Sequence, residues 1–146
     1  MIKPGLNIIK EIAQELDCGN ECYFNQKTNE LICLPNADLM ATAGEDYYKE
    51  MFREDFKKIE SQKKDLIKFE VLESFESFKI MEDFKNQVED DKFERDLERA
   101  LNRRKPFQNF KNLIDNSDYR EKWFQFKQKE IEKIVIKNIE RNNTGI

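Results

Sequence analysis

Residues 93–127, FERDLERALNRRKPFQNFKNLIDNSDYREKWFQFK, decide how the C-terminal half of this chain folds. Five Phe, one Trp and one Tyr stand among a dense run of Arg and Lys, with a single Pro in the middle. Phe93, Leu97, Ala100 and Leu101 recur at helical spacing, and Asp90 and Asp91 ahead of them are suited to cap that helix. Pro106 ends the pattern and belongs in the first turn of a new short helix carrying Phe107, Phe110, Leu113 and Ile114. Asp115 to Asp118 supply a turn and a cap. A final helix is predicted from about Tyr119 to about Glu140, with Trp123, Phe124 and Phe126 early and Ile131, Ile134, Val135 and Ile139 late. The stretch reads as two or three helices packed through aromatic rings, with a basic rim.

Upstream, Ser74 starts another helix in which Phe75, Phe78, Met81, Phe84 and Val88 keep helical spacing. Asp65 to Leu72 alternates and fits a strand with Ile67, Phe69 and Val71 on its buried face. Glu45 to Glu60 fits one amphipathic helix striped by Tyr48, Met51, Phe52, Phe56 and Ile59, broken by Ser61 to Lys64. Ala37 to Gly44 is a connector. Glu21–Phe24 and Glu30–Leu34 form a β-hairpin around a polar loop in which Asn29 suits the left-handed position. Asn7 to Leu16 fits a short helix with Ile8, Ile9, Ile12, Ala13 and Leu16 on one face. The predicted fold class is α+β: a small antiparallel sheet, made of the hairpin plus a third strand, packed with helices, and a helical C-terminal half. The 146 residues read as a single domain, with the mixed part at 7–72, the helical part at 73–140 and a frayed tail from 141.

Composition narrows the chemistry. Apolar and charged residues each make up 38%, so a small core of large side chains sits under a charged surface. Twelve Phe argue against disorder. The net charge of −4 gives no global attraction to nucleic acid or to an anionic membrane. No segment is apolar enough to span a bilayer, and the N-terminal stretch lacks a secretory core, so a cytoplasmic protein with reduced thiols is expected. Histidine is absent, which removes the commonest general base and metal ligand and the Ser–His and Cys–His pairs.

Four constellations remain. Cys18, Cys22 and Cys33 are too loosely spaced for a zinc site and lack a fourth ligand, so they read as small hydrophobes, and neither a metal nor another cofactor is expected. Glu70, Glu73, Glu76, Glu82 and Asp83 offer paired carboxylates, but 30 acids produce such pairs by chance, and no residue is assigned a catalytic role. No Gly-rich phosphate loop exists among four isolated Gly. From Lys92 to Lys105, six cations face three acids, Glu94, Asp96 and Glu98. Arg95, Arg99 and Arg103 recur every four residues as a helical stripe, followed by Arg104, Lys105 and Lys111. The bland alternative is a solvated stripe paired with Glu94 and Glu98 over rings that are core. The late stripe of the last helix reads as internal packing sooner than as a dimerisation face.

Several pieces together resemble the uncharacterised protein family 0158 (UPF), found in bacteria. They are Leu97–Leu101, Arg103–Lys111 and Trp123–Phe126, with Leu16–Asn25 and Glu73–Met81 in support. The hairpin loop departs from the pattern, with Asn29 where Gly looks better suited. The resemblance implies a soluble cytoplasmic α+β domain and carries no activity, partner or site residue.

The functional expectation is a non-enzymatic interaction module that uses Arg95, Arg99, Arg103, Arg104, Lys105 and Lys111, with a protein partner or homo-oligomer favoured and no membrane role. Two alternatives stand beside it. One is RNA or single-stranded DNA bound through the same surface. The other is a His-free enzyme that sets Glu73 or Glu76 beside an Arg of the stripe.

Overall fold

The computed structural model describes residues 5–36 and 44–143. The described residues form seven α-helices and one three-stranded antiparallel sheet, an α+β fold with a helical C-terminal half. Of the connector predicted at 37–44, residues 37–43 lie outside the described residues, as do 144–146 of the tail predicted from 141.

Two compact units divide the chain. The first comprises residues up to Val71 together with those from Ile131 onward; the second is Leu72–Glu130. In the first unit, α1 (Leu6–Asp17) buries Ile12, Ala13 and Leu16. Strands β1 (Asn20–Asn25) and β2 (Leu31–Pro35) form the hairpin, and β3 (Leu66–Phe69) adds to the other side of β1, giving the order β2-β1-β3. Cys22, Phe24, Ile67 and Phe69 share one face through their cross-strand pairing and are all buried. The later half of the last helix, α7 (Arg120–Asn143), turns Ile131, Val135 and Ile139 inward at i, i+4, i+8 spacing, so this stripe is internal packing. The helix extends two residues beyond Arg141, where the sequence suggested fraying.

The hairpin loop is shaped by two asparagines. Asn29 adopts the left-handed conformation at φ 64°, as its position predicts, and its N–H donates to the Asn25 carbonyl at 2.8 Å. Asparagine tolerates that region better than any β-branched residue, and glycine adopts it without cost. Asn29→Gly is therefore expected to leave stability unchanged or raise it by up to about 1 kcal/mol, and Asn29→Val to lower it by about 1–2 kcal/mol. Urea unfolding of the three proteins checks this order; a Val variant as stable as the parent contradicts it.

Two elements differ from their sequence expectation. The single helix from Glu45 to Glu60 is two helices, α2 (Glu45–Met51) and α3 (Arg53–Gln62), broken at Phe52 with φ −108° and ψ 24°. No local breaker stands there. The Tyr48 hydroxyl donates to the Pro35 carbonyl at 2.7 Å, and the Phe52 and Phe56 rings pack around the Tyr48 ring at 5.3 and 5.5 Å. Tertiary anchoring of one ring thus coincides with the break. α3 continues to Gln62, and a 3-10 turn at Lys63–Asp65 leads into β3. That strand is four residues long instead of eight, and Val71 is only half-buried. Continuing the β1–β3 register would set Glu70 opposite Glu21, a like-charge pair that destabilises a ladder. Lys68 resolves it by bridging both carboxylates, at 3.7 Å to Glu21 and 3.5 Å to Glu70.

The second unit holds α4 (Ser74–Lys85), α5 (Asp91–Leu101), α6 (Pro106–Asp115) and the start of α7. Asp90 caps α5 by accepting from the N–H groups of Lys92 and Phe93, and Pro106 opens α6, both as the sequence indicates. The core is a run of rings: Phe110 meets Trp123 edge-on at 4.9 Å, Trp123 meets Phe84 at 5.3 Å, and Phe84 meets Phe126 at 5.5 Å. Phe93 stacks on Tyr119 at 4.9 Å. Phe75 is a correction to the helical stripe: it is 70% exposed at the first turn of α4.

Candidate functional site

The basic surface lies on α5, α6 and the turn between them. Arg95, Arg99, Arg103, Arg104, Lys105 and Lys111 are all exposed. They are not one helical stripe. α5 ends at Leu101 with Asn102 as its C-cap, so Arg103, Arg104 and Lys105 occupy the following turn. The turn is held by side chains: the Asn102 amide donates to the Glu98 carbonyl at 2.9 Å, and the Asn109 amide to the Arg104 carbonyl at 2.8 Å. Lys105 sits in the left-handed region at φ 56°, ψ 54°, a conformation that costs a non-glycine residue about 1–2 kcal/mol. Its positive side chain also stands at the N-terminus of α6, where the helix dipole disfavours a cation.

None of these six cations makes an ion pair within 4.0 Å among the described residues. The alternative of a stripe paired with Glu94 and Glu98 is therefore not what these side chains form. Glu98 instead pairs with Lys85 of α4 at 3.9 Å. Arg99 and Arg103 line a groove of about 320 Å³ between α5 and α6, with Asp96, Ala100, Asn109, Asn112 and Leu113. Ala100 and Leu113 give it an apolar floor, two guanidinium groups and two amides give it donors, and Asp96 supplies one acid. Planar guanidinium groups suit bidentate contact with carboxylate or phosphate oxygens. Sequence reasoning missed Asn109 and Asn112; their i, i+3 spacing on α6 is the only signal that places them on one side of that helix.

The rings of the region divide. Phe110 is buried and Trp123 nearly so, whereas Phe107 is 42% and Phe124 38% exposed. Phe124 lies under the Arg120 guanidinium at 4.8 Å and near Lys127 at 5.4 Å, so its open face is already partnered by cations. Phe107 is the exposed ring that adjoins Lys105 and Lys111 in sequence.

Glu73 and Glu76 serve α4: the Glu76 carboxylate accepts from the Glu73 N–H at 2.9 Å, the return arm of a capping box, and neither is within ion-pair distance of an Arg among the described residues. A larger groove of about 700 Å³ lies along α2 and α3, but its lining sets Asp46, Glu50 and Glu60 beside Lys49, Arg53 and Lys57, and Arg53 pairs with Glu50 at 3.7 Å. On the sheet, burial holds the Tyr23 phenol above its ordinary value, with Glu21 adding to this and Lys68 opposing it. Burial alone would lower the Lys68 ammonium, but Tyr23, Glu21 and Glu70 outweigh it and the group is raised. This cluster is a satisfied salt-bridge network that explains the end of β3. Among the described residues, no group of three His, Cys, Asp or Glu side chains is placed to hold a metal, and no helix is long and apolar enough to cross a membrane.

No curated protein and no solved structure matches the chain. A family model does: the match covers residues 6–145 and takes in the hairpin, the sheet and the whole basic surface, so the chain belongs to the uncharacterised protein family UPF0158.

Proposed function

We propose that this protein is a non-enzymatic interaction module whose partner surface is the α5–α6 corner, and that the partner is a protein presenting an acidic segment. The observation that carries this reading is the set of six exposed cations left without a carboxylate among the described residues, although Glu94, Asp96 and Glu98 lie on the same helix. A chain of net charge −4 that keeps its positive groups unpaired in one place offers a local attraction opposite in sign to the rest. A second copy of this acidic chain is one such partner. Nucleic acid fits the surface less well. Single-strand binders use several exposed rings as stacking platforms, and here Phe110 is buried and Phe93 is stacked on Tyr119.

The test compares the parent with the double variant Arg99→Gln/Arg103→Gln. Affinity capture from native lysate, with and without nuclease, is followed by titration of the captured protein, and sedimentation velocity over a concentration series reads self-association. The expected result is nuclease-resistant, salt-sensitive binding that weakens about tenfold or more in the variant. Equal binding by both proteins sinks the proposal. Capture abolished by nuclease, with a gel shift on RNA or single-stranded DNA that falls steeply with salt, replaces it with the nucleic-acid reading.

A further inference from the structure

Cys22 and Cys33 stand directly opposite each other in the β1–β2 ladder. The hydrogen bonds that close the two ends of the hairpin, Asn25 N–H to Glu30 carbonyl and Asn36 N–H to Gly19 carbonyl, fix the alternation along it. Counting inward by register makes Cys22–Cys33 a non-hydrogen-bonded pair, the kind in which Cα atoms approach to about 4.5 Å and side chains come closest. That spacing lies within the range a disulfide accepts. The two Sγ atoms are already 3.4 Å apart. Closing them to roughly 2.05 Å asks for side-chain rotation and no change of register.

We propose that Cys22 and Cys33 are a thiol–disulfide site that closes reversibly across the hairpin when the protein meets a low-molecular-weight disulfide such as oxidised glutathione. The two thiols are inequivalent, and this orders the steps. Cys22 is 0% exposed. Its hydrogen bond with Cys33, its burial and the nearby Cys33, Glu15 and Glu11 hold its thiol well above the ordinary range. Cys33 is only half-buried, on the outer strand β2, and meets the reagent first. Its thiolate, the proton lost to solvent, attacks one sulfur of oxidised glutathione, and one glutathione thiolate leaves. The mixed disulfide removes the hydrogen-bonded neighbour that most raises Cys22. The Cys22 thiolate then attacks Cys33 Sγ and expels the second glutathione. Two protein thiols lose two electrons and two protons, and one glutathione disulfide becomes two thiols. The bond encloses the hairpin loop and pins the edge strand to β1.

The experiment uses the full chain with Cys18→Ser, which removes the exposed third thiol. After incubation of the folded protein with oxidised glutathione, both remaining thiols should be lost to titration and the intact mass should fall by two hydrogens. A digest should join the Cys22 and Cys33 peptides, and dithiothreitol should reverse the change. The melting temperature should rise by roughly 5–10 °C in the closed form. Adding Cys33→Ser should abolish closure. The proposal is overturned if folded Cys18→Ser protein keeps both thiols titratable while its urea-unfolded form loses them. A stable glutathione adduct on Cys33, or a Cys18–Cys33 link mapped in the wild-type chain, overturns it equally.

Discussion

Phe110→Ala should destabilise the second unit by about 3–5 kcal/mol, whereas Arg99→Gln/Arg103→Gln should change its stability by no more than about 0.5 kcal/mol. Phe110 is 1% exposed and abuts Trp123, which abuts Phe84 in turn. Truncation removes the buried ring and leaves a cavity beside a stack that cannot collapse without moving both neighbours. The two arginines are exposed and unpaired among the described residues, so their loss breaks no packed contact. Trp123 is the chain's one tryptophan, and its fluorescence reports this unit directly during urea unfolding. A Phe110→Ala cost below about 1 kcal/mol would mean the rings of this stretch are not its core. The pair of variants separates two layers that share one sequence: rings that pack α4, α6 and α7 against one another, and exposed cations that bear no packing load.

What was legible in the chain was what local chemistry decides. Asn29, Asp90 and Pro106 do their work through their own backbone or the next three residues, so their roles could be read directly. Periodicity likewise exposed the buried positions Leu97, Ala100, Leu101 and Ile114. The failures have distant causes. The break at Phe52 accompanies a bond from Tyr48 to Pro35, and the end of β3 depends on Glu21, far away in sequence. Arg103 kept the four-residue spacing but fell beyond the helix, because Asn102 closes α5 three residues before Lys105. The Cys22–Cys33 juxtaposition needed a register, and a slip of one residue would place the two thiols on opposite faces.

Whether the basic stripe was free or neutralised could not be read from composition at all. Arg95 and Glu98, and likewise Asp96 and Arg99, stand three residues apart on α5, and spacing alone favours pairing. Glu98 turns to Lys85 on another helix, a contact made by tertiary packing. The cations are further concentrated by the tight turn, which places Lys105 in a left-handed conformation that glycine would adopt at lower cost. A cation at a strained helix start stabilises neither the turn nor the dipole. Its position adds a fourth exposed cation to the Arg99, Arg103 and Arg104 side of the corner at a cost to local stability.

Asn25→Ala should cost about 2–3 kcal/mol, more than any surface substitution in the first unit. Asn25 is 3% exposed, and its side chain makes three bonds, two inside the hairpin loop and one that ties the hairpin to α3. Its Oδ1 accepts from the Lys27 N–H at 2.8 Å and the Thr28 N–H at 3.1 Å, and its Nδ2 donates to Gln62 Oε1 at 2.9 Å. Gln62 in turn donates to Glu30 at 3.1 Å, a bond that lowers the Glu30 carboxyl below its ordinary value. Alanine strips two loop amides of their acceptor and leaves the Gln62 carbonyl oxygen unmatched. Urea unfolding gives the cost, and amide exchange at Lys27 and Thr28 should quicken. A loss under 1 kcal/mol with unchanged exchange at both amides would show that the loop is held by its backbone alone. The disulfide site adds a second reading of the same variant. Asn25 lies inside the segment that a Cys22–Cys33 bond would close, so the covalent link should do part of what the asparagine does. Oxidised Asn25→Ala protein should therefore lose less stability than its reduced form, because a tethered loop has fewer alternatives once its side-chain bonds are gone.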